Sequence, residues 1–180
     1  MELPAGQAMM AISLDGFVAR PDHRLDWLMR LDTDGEDHGF EAFQDSVDAI
    51  VMGANSFRSV LGFGHWAYRK PVVVLSSRMD DADVPARLSG KAEISRLSPR
   101  DVMTELGRRG AGRVYVDGAA VIRSFLKAGL IAEMRIALAP VLIGEGIRLF
   151  GPLGADIPLT LCDVQQFPSG LVQMRYRLEG

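Results

Sequence analysis

Short, wholly apolar runs alternate along this chain with stretches of helical period, and that alternation restricts the possible folds more than any other feature. The clearest run is PVVVL at 71–75, whose β-branched side chains suit a pleated, buried surface. Residues 7–13 (QAMMAIS), 49–52, 92–95, 113–116 and 131–138 read the same way. Helical patterns lie between them. Residues 35–47 place Phe40, Phe43 and Val47 on one face, and residues 55–61 form a short helix. Ser98, Pro99 and Asp101 open another, as an N-cap, a first-position proline and an acid at the positive end of the dipole. Residues 119–128 carry Val121, Ile122, Phe125 and Leu126 on one face and stop at Gly129. Residues 14–24 and 80–90 read as loops. Residues 159–165 and 171–178 form a terminal hairpin turning at Pro168-Ser169-Gly170.

Strand–helix–strand units close with right-handed crossovers, so their strands run parallel and helices cover both faces. The expected fold is therefore α/β, a mixed and mostly parallel sheet with a C-terminal antiparallel hairpin, in one domain over residues 1–180. A chain of 180 residues, 48% hydrophobic and 24% charged, can bury such a core without staples. The single cysteine, Cys162, permits no internal disulfide and reads as a small buried hydrophobe. With only His23, His38 and His65 beside it, no metal site is expected. A formal net charge of -3 argues against nucleic-acid binding through bulk electrostatics. No run of 18 apolar residues exists, and the first seven residues hold Glu2 but no Lys or Arg. We expect a soluble, cytoplasmic protein without membrane partners.

Ligands of open α/β sheets bind beyond the carboxyl ends of the strands, so the residues just after each strand matter most. Gly53-Ala54-Asn55-Ser56 follows the run at 49–52 and can offer free backbone N–H groups to a phosphate; Asn55 or Ser56 could equally cap a plain helix. Ser76-Ser77-Arg78 follows PVVVL, with two hydroxyls and a guanidinium suited to a phosphomonoester, or to a solvated loop. Asp117-Gly118-Ala119-Ala120 follows the run at 113–116 and lets backbone approach a ligand, unless Asp117 merely caps the helix. Three anion-friendly turns at one edge of one sheet suggest a long phosphate-bearing ligand such as a dinucleotide.

Five ordered stretches carry a family resemblance: MAISLDGFV at 10–18, IVMGANSF at 50–57, VVVLSSR at 72–78, VYVDGAAVIRSFL at 114–126 and IALAPVLIGEGIRLF at 136–150. In them the chain resembles the dihydrofolate-reductase-like reductases, within the group of the C-terminal reductase domain of the bacterial riboflavin deaminase/reductase. The resemblance implies NADPH as cofactor. Ala11 and Ile12 would lie beside the nicotinamide, and Gly16, Phe17 and Val18 would form a loop covering it. Gly53, Asn55 and Ser56 would hold the pyrophosphate from one side, and Gly118, Ala119 and Ala120 from the other. Ser76, Ser77 and Arg78 would receive the 2′-phosphate and adenosine. Gly144-Glu145-Gly146 resembles a late structural turn of the family, and a homodimer is implied.

The chain departs from that pattern in two places. Ala119 stands where the family commonly has a second glycine, and alanine disfavours positive φ. The acid is also ambiguous. Dihydrofolate reductases carry a carboxylate on the first helix, and ungapped counting puts Asp37 there, among Asp32, Asp34, Glu36 and Glu41 that equally suit a solvated helix start. Asp15, in Ser13-Leu14-Asp15-Gly16, could orient a proton donor or bond its own turn. Trp27, Phe40 and Phe43 could wall a planar substrate or belong to the core. The expected function is an NADPH-dependent reductase of a small heterocyclic, imine or carbonyl compound. The alternatives are 5-amino-6-(5-phosphoribosylamino)uracil reductase, a non-catalytic NADPH-binding module, and dihydrofolate reductase.

Overall fold

Eight strands join in one sheet in the computed structural model, which describes residues 2–179. The strands are β1 (Ala5–Ser13), β3 (Ala49–Gly53), β4 (Val72–Leu75), β5 (Ala92–Ser95), β6 (Arg113–Asp117), β7 (Ile131–Ala139), β9 (Leu159–Gln166) and β10 (Val172–Leu178). Their order is β5-β4-β3-β6-β1-β7-β10-β9. The first six run parallel; β10 pairs antiparallel with both β7 and β9. This is the expected mixed sheet with its terminal hairpin. A separate ribbon pairs β2 (Phe17–Ala19) with β8 (Ile147–Arg148).

Helices α4 (Pro99–Arg108) and α5 (Ala119–Lys127) pack on one face of the sheet. There Val102, Met103, Leu106, Ile122 and Phe125 meet the β1 and β7 side chains Ala8, Ile12, Met134 and Ile136. Helices α2 (Phe40–Asp45) and α3 (Ala54–Gly62) cover the other, with Phe43 and Phe57 against Ile50, Met52, Val72, Val74 and Tyr115. Ser98 caps α4 by accepting the Asp101 N–H, with Pro99 in the first turn.

Several expectations need correction. The helix at 35–47 is only six residues long, because Gly35 and Gly39 adopt φ of 72° and 75°, outside the helical region. A short helix α1 (Asp26–Met29) and the β2–β8 ribbon lie where the sequence offered no periodic signal. The 80–90 loop contains two single 3₁₀ turns, Asp81–Asp83 and Ala86–Leu88. Cys162 is exposed rather than buried. It sits beside a register shift on the edge strand β9, whose side chains are exposed at all but one position.

Candidate functional site

A cleft of about 740 Å³ runs along the carboxyl edge of the parallel strands. That volume suits a ligand of cofactor size. One wall is the start of α3 just after β3, another the start of α5 just after β6, and Val18, Ala19 and Ile147 of the ribbon close it. Neither α3 nor α5 has a side-chain cap at its N-terminus. Their first-turn N–H groups therefore remain open to an anion, reinforced by both helix dipoles. The helix starts also touch. Gly118 adopts φ 91° and ψ 134°, and a Cβ there would lie 2.4 Å from Ser56 Oγ. Only glycine permits this approach.

Charge inside the cleft opposes that of the whole chain. Arg58, Arg78 and Arg123 line it, and Asp117 is its only carboxyl among the described residues. Ser76 Oγ accepts the N–H groups of Arg78 and Met79 at 3.2 and 3.1 Å. This folds the turn after β4 so that Ser76 and Arg78 both reach the cleft, while the Ser76 hydroxyl proton stays free to donate.

Of the residues singled out in the sequence, Val18, Gly53, Asn55, Ser56, Ser76, Arg78, Gly118, Ala119 and Ala120 come together along this cleft. Ala11, Ile12, Gly16 and Ser77 do not line it; Met10 reaches it in place of Ala11. Ile12 points into the α4–α5 core. Ala119 is no obstacle, because the positive φ falls on Gly118 and Ala119 is already helical. Trp27 and Phe43 are core residues, 2% and 1% exposed, and Phe40 packs against the second of these cores. None of the three lines the cleft. Asp37 lies in the exposed turn before α2, accepting the Gly39 N–H at 2.7 Å, also outside the cleft.

Asp15 is committed to its own loop. Its carboxylate accepts Ser13 Oγ, the Ile143 N–H and the Gly144 N–H, the last at 2.8 Å. The Ser13 hydroxyl first, then the two backbone donors, hold the Asp15 carboxyl below the ordinary range against a desolvation penalty. An ionised carboxylate with three donors has no proton to give. Its effect is to tie the 13–19 segment to the turn at 143–146. Arg148 completes the tie, its guanidinium 4.6 Å from the centre of the Phe17 ring.

The sequence read Asp117 only as part of a turn or as a helix cap, and gave Tyr68 and Tyr115 beside it no role. Strand alternation puts Tyr115 and Asp117 on one face. Asp117 is 9% exposed. The Tyr115 hydroxyl lies 3.2 Å from Asp117 Oδ1 and 3.3 Å from the Met9 carbonyl oxygen. The Tyr68 hydroxyl lies 3.4 Å from Asp117 Oδ2. Burial pushes the Asp117 carboxyl above the ordinary range, and the tyrosine and Gly118 hydrogen bonds only partly offset it. Burial and the neighbouring carboxylate likewise raise both phenols. A carboxyl two residues after a strand tyrosine was a usable local signal. Tyr68, 49 residues earlier, gave none.

Comparisons with known proteins agree with this architecture. Residues 4–173 match the family model of the RibD C-terminal domain. YwjB of Bacillus subtilis is 27% identical over 93% of this chain and 94% of its own length. A crystal structure from Shewanella sp. PV-4, described as a putative riboflavin biosynthesis protein, superposes with a TM-score of 0.91 at 35% identity, covering 98% of this chain and 99% of that one. Dihydrofolate reductase from Enterococcus faecalis, in complex with NADP(H), shares the fold at a TM-score of 0.67 and 12% identity, over 98% and 97% of the two chains.

Proposed function

Because this chain belongs to the RibD C-terminal domain family, on a dihydrofolate-reductase-like fold, we propose that it is an NADPH-dependent reductase of a small heterocyclic, imine or carbonyl substrate. The observation that carries the proposal is the pair of uncapped helix starts, after Gly53 and Gly118, facing one cleft lined by three guanidiniums. That arrangement fits a dinucleotide. The N–H groups of both helix starts would hold the pyrophosphate, and Ser76 and Arg78 would take the 2′-phosphate. Bound NADPH supplies hydride; the protein supplies orientation and exclusion of water. Val18 and Ala19, pinned by the Asp15 tie, would serve that exclusion. Fluorescence titration with NADPH and NADH tests the proposal. We expect tighter binding of NADPH, and tight binding of neither would overturn it.

A second reading names the substrate as 5-amino-6-(5-phosphoribosylamino)uracil. The 35% identical Shewanella protein, described as a putative riboflavin biosynthesis protein, favours it. NADPH oxidation in the presence of that compound decides the matter, and no oxidation removes this reading alone. We also propose that the chain pairs with a second copy. The uncovered face of β9 presents Leu161 and Val164, each 53% exposed, opposite Tyr176 and Met174. Apolar side chains at that density suit a partner surface.

A further inference from the structure

We propose that Arg123 couples two walls of the cleft: its guanidinium takes a phosphate of the bound dinucleotide and, at the same time, holds the β2–β8 ribbon closed. The inference rests on the dinucleotide reading above and deepens it, because it makes closure of the ribbon a consequence of phosphate binding at α5.

Arg123 lines the cleft from the second turn of α5. It follows Ala119 by one helical turn, roughly 6 Å along the axis from the open N–H groups. Long helical side chains lean back toward the helix N-terminus, which here is the end that accepts the anion. The stem of Arg123 packs on Gly151, where a Cβ would stand 3.4 Å from Arg123 Cδ. Its Nη1 donates to the carbonyl oxygens of Arg148 and Leu149 at 2.6 and 3.3 Å. Among the described residues, Nη2 and Nε meet no acceptor, and no carboxylate pairs with the guanidinium. The planar fork therefore keeps donors for a phosphate while Nη1 stays on the ribbon.

The ribbon needs such a tie. It has two paired positions, Phe17 with Arg148 and Ala19 with Ile147, and an irregularity between them. So short a ladder is not stable alone, and side chains at its ends must hold it. Asp15 holds the turn before β8, and Arg123 holds the two carbonyls at its far end, where the Leu149 side chain is fully buried in the core. Closing the ribbon over Arg123 takes water from a cation whose only protein partners are carbonyl dipoles, and that costs free energy. A bound phosphate supplies the missing opposite charge and lowers the cost. Phosphate binding and ribbon closure thus favour each other, and by linkage the coupling acts in both directions. A lysine at this position would not serve, because a compact ammonium lacks the fork that reaches both partners.

Hydrogen exchange at residues 17–19 and 147–149 reads ribbon closure without turnover. In the wild type, saturating NADPH and saturating ADP-ribose should each slow this exchange by about 5-fold or more. ADP-ribose is the decisive probe, since it carries the diphosphate but has no nicotinamide to touch Val18. Arg123→Met keeps the stem and removes the donors. It should weaken NADPH and NADH alike, by about 10-fold, because both carry the diphosphate. Saturating ADP-ribose should then leave ribbon exchange unchanged. Arg123→Lys should bind ADP-ribose within a few-fold of wild type yet also fail to slow the exchange, a separation that neither lost charge nor lost folding produces. ADP-ribose that fails to bind the wild type, or binds without slowing exchange, overturns the coupling while the reductase reading stands. So does slowing that survives in Arg123→Met or Arg123→Lys. A wild type that takes up neither NADPH nor ADP-ribose overturns both.

Discussion

Replacing Gly118 by alanine attacks the point where the two helix starts meet. Two costs arise, and the structure separates them. The backbone at φ 91° and ψ 134° lies where side chains are rarely tolerated, costing roughly 1–3 kcal/mol. The new Cβ would also stand 2.4 Å from Ser56 Oγ, and pushing the hydroxyl or the α3 start aside costs about another 1–3 kcal/mol. For a chain of this length each kcal/mol lowers Tm by about 2–4 °C, so Gly118→Ala should melt roughly 4–24 °C below wild type. Removing the Ser56 hydroxyl as well should recover the second cost only, since the next contact, Ser56 Cβ, lies at an ordinary 3.6 Å. Thermal melts and urea titrations of wild type, Gly118→Ala, Ser56→Ala and the double variant form a complete cycle. The expected coupling is about 1 kcal/mol or more in favour of the double variant. Strict additivity would refute the close approach, and an unchanged Tm for Gly118→Ala would refute both parts of the reasoning.

Arg78→Ala should weaken NADPH binding about 10–150-fold, the loss of one charge-assisted phosphate contact, and leave NADH unchanged; equal losses for both would remove Arg78 from the 2′-phosphate site. Asp15→Asn should speed amide exchange at residues 14–19 and 143–144, because an amide nitrogen cannot accept the Gly144 N–H. The Asp15 carboxyl sits below its ordinary range in the folded chain, so its contribution is complete above that range and fades as pH falls through it. The wild-type advantage over Asp15→Asn in urea midpoint should therefore shrink from about pH 6 to about pH 3, and a constant gap would contradict the tie. Leu161→Lys should shift the sedimentation of the proposed homodimer to that of a single chain without lowering Tm by more than a few degrees; unchanged sedimentation places the contact elsewhere.

Much of the cleft could be read locally. PVVVL is a strand in any context that can bury it, and the glycine or serine turn after each such run falls at the carboxyl edge by chain direction alone. Elsewhere local pattern misled. The row Glu36, Phe40, Phe43, Val47 has helical spacing, yet Glu36 leaves the helix. Its carboxylate accepts Ser169 N–H, Ser169 Oγ and the His38 ring, fastening the turn before α2 to the β9–β10 turn. The partner is 133 residues away, beyond any periodicity. Trp27, Phe40 and Phe43 stay outside the cleft for a related reason. Aromatic character shows that a side chain will be covered, and packing decides whether core or ligand covers it.

The sequence by itself determined the succession along the chain of the eight sheet strands and of helices α2 to α5, the parallel sheet with its terminal hairpin, and the polar or glycine turns after Gly53, Leu75 and Asp117. Those follow from backbone dihedrals and side-chain period, which neighbouring residues set. Only the tertiary structure decided how each acid is held. Asp15 and Asp117 each sit in a turn at a strand end and look alike in the sequence. One is ringed by donors that stabilise its charge, and the other is buried between two phenols that offset only part of its desolvation. Desolvation and pairing belong to whatever the fold brings alongside, and for Asp117 that is a tyrosine from a loop on another part of the chain.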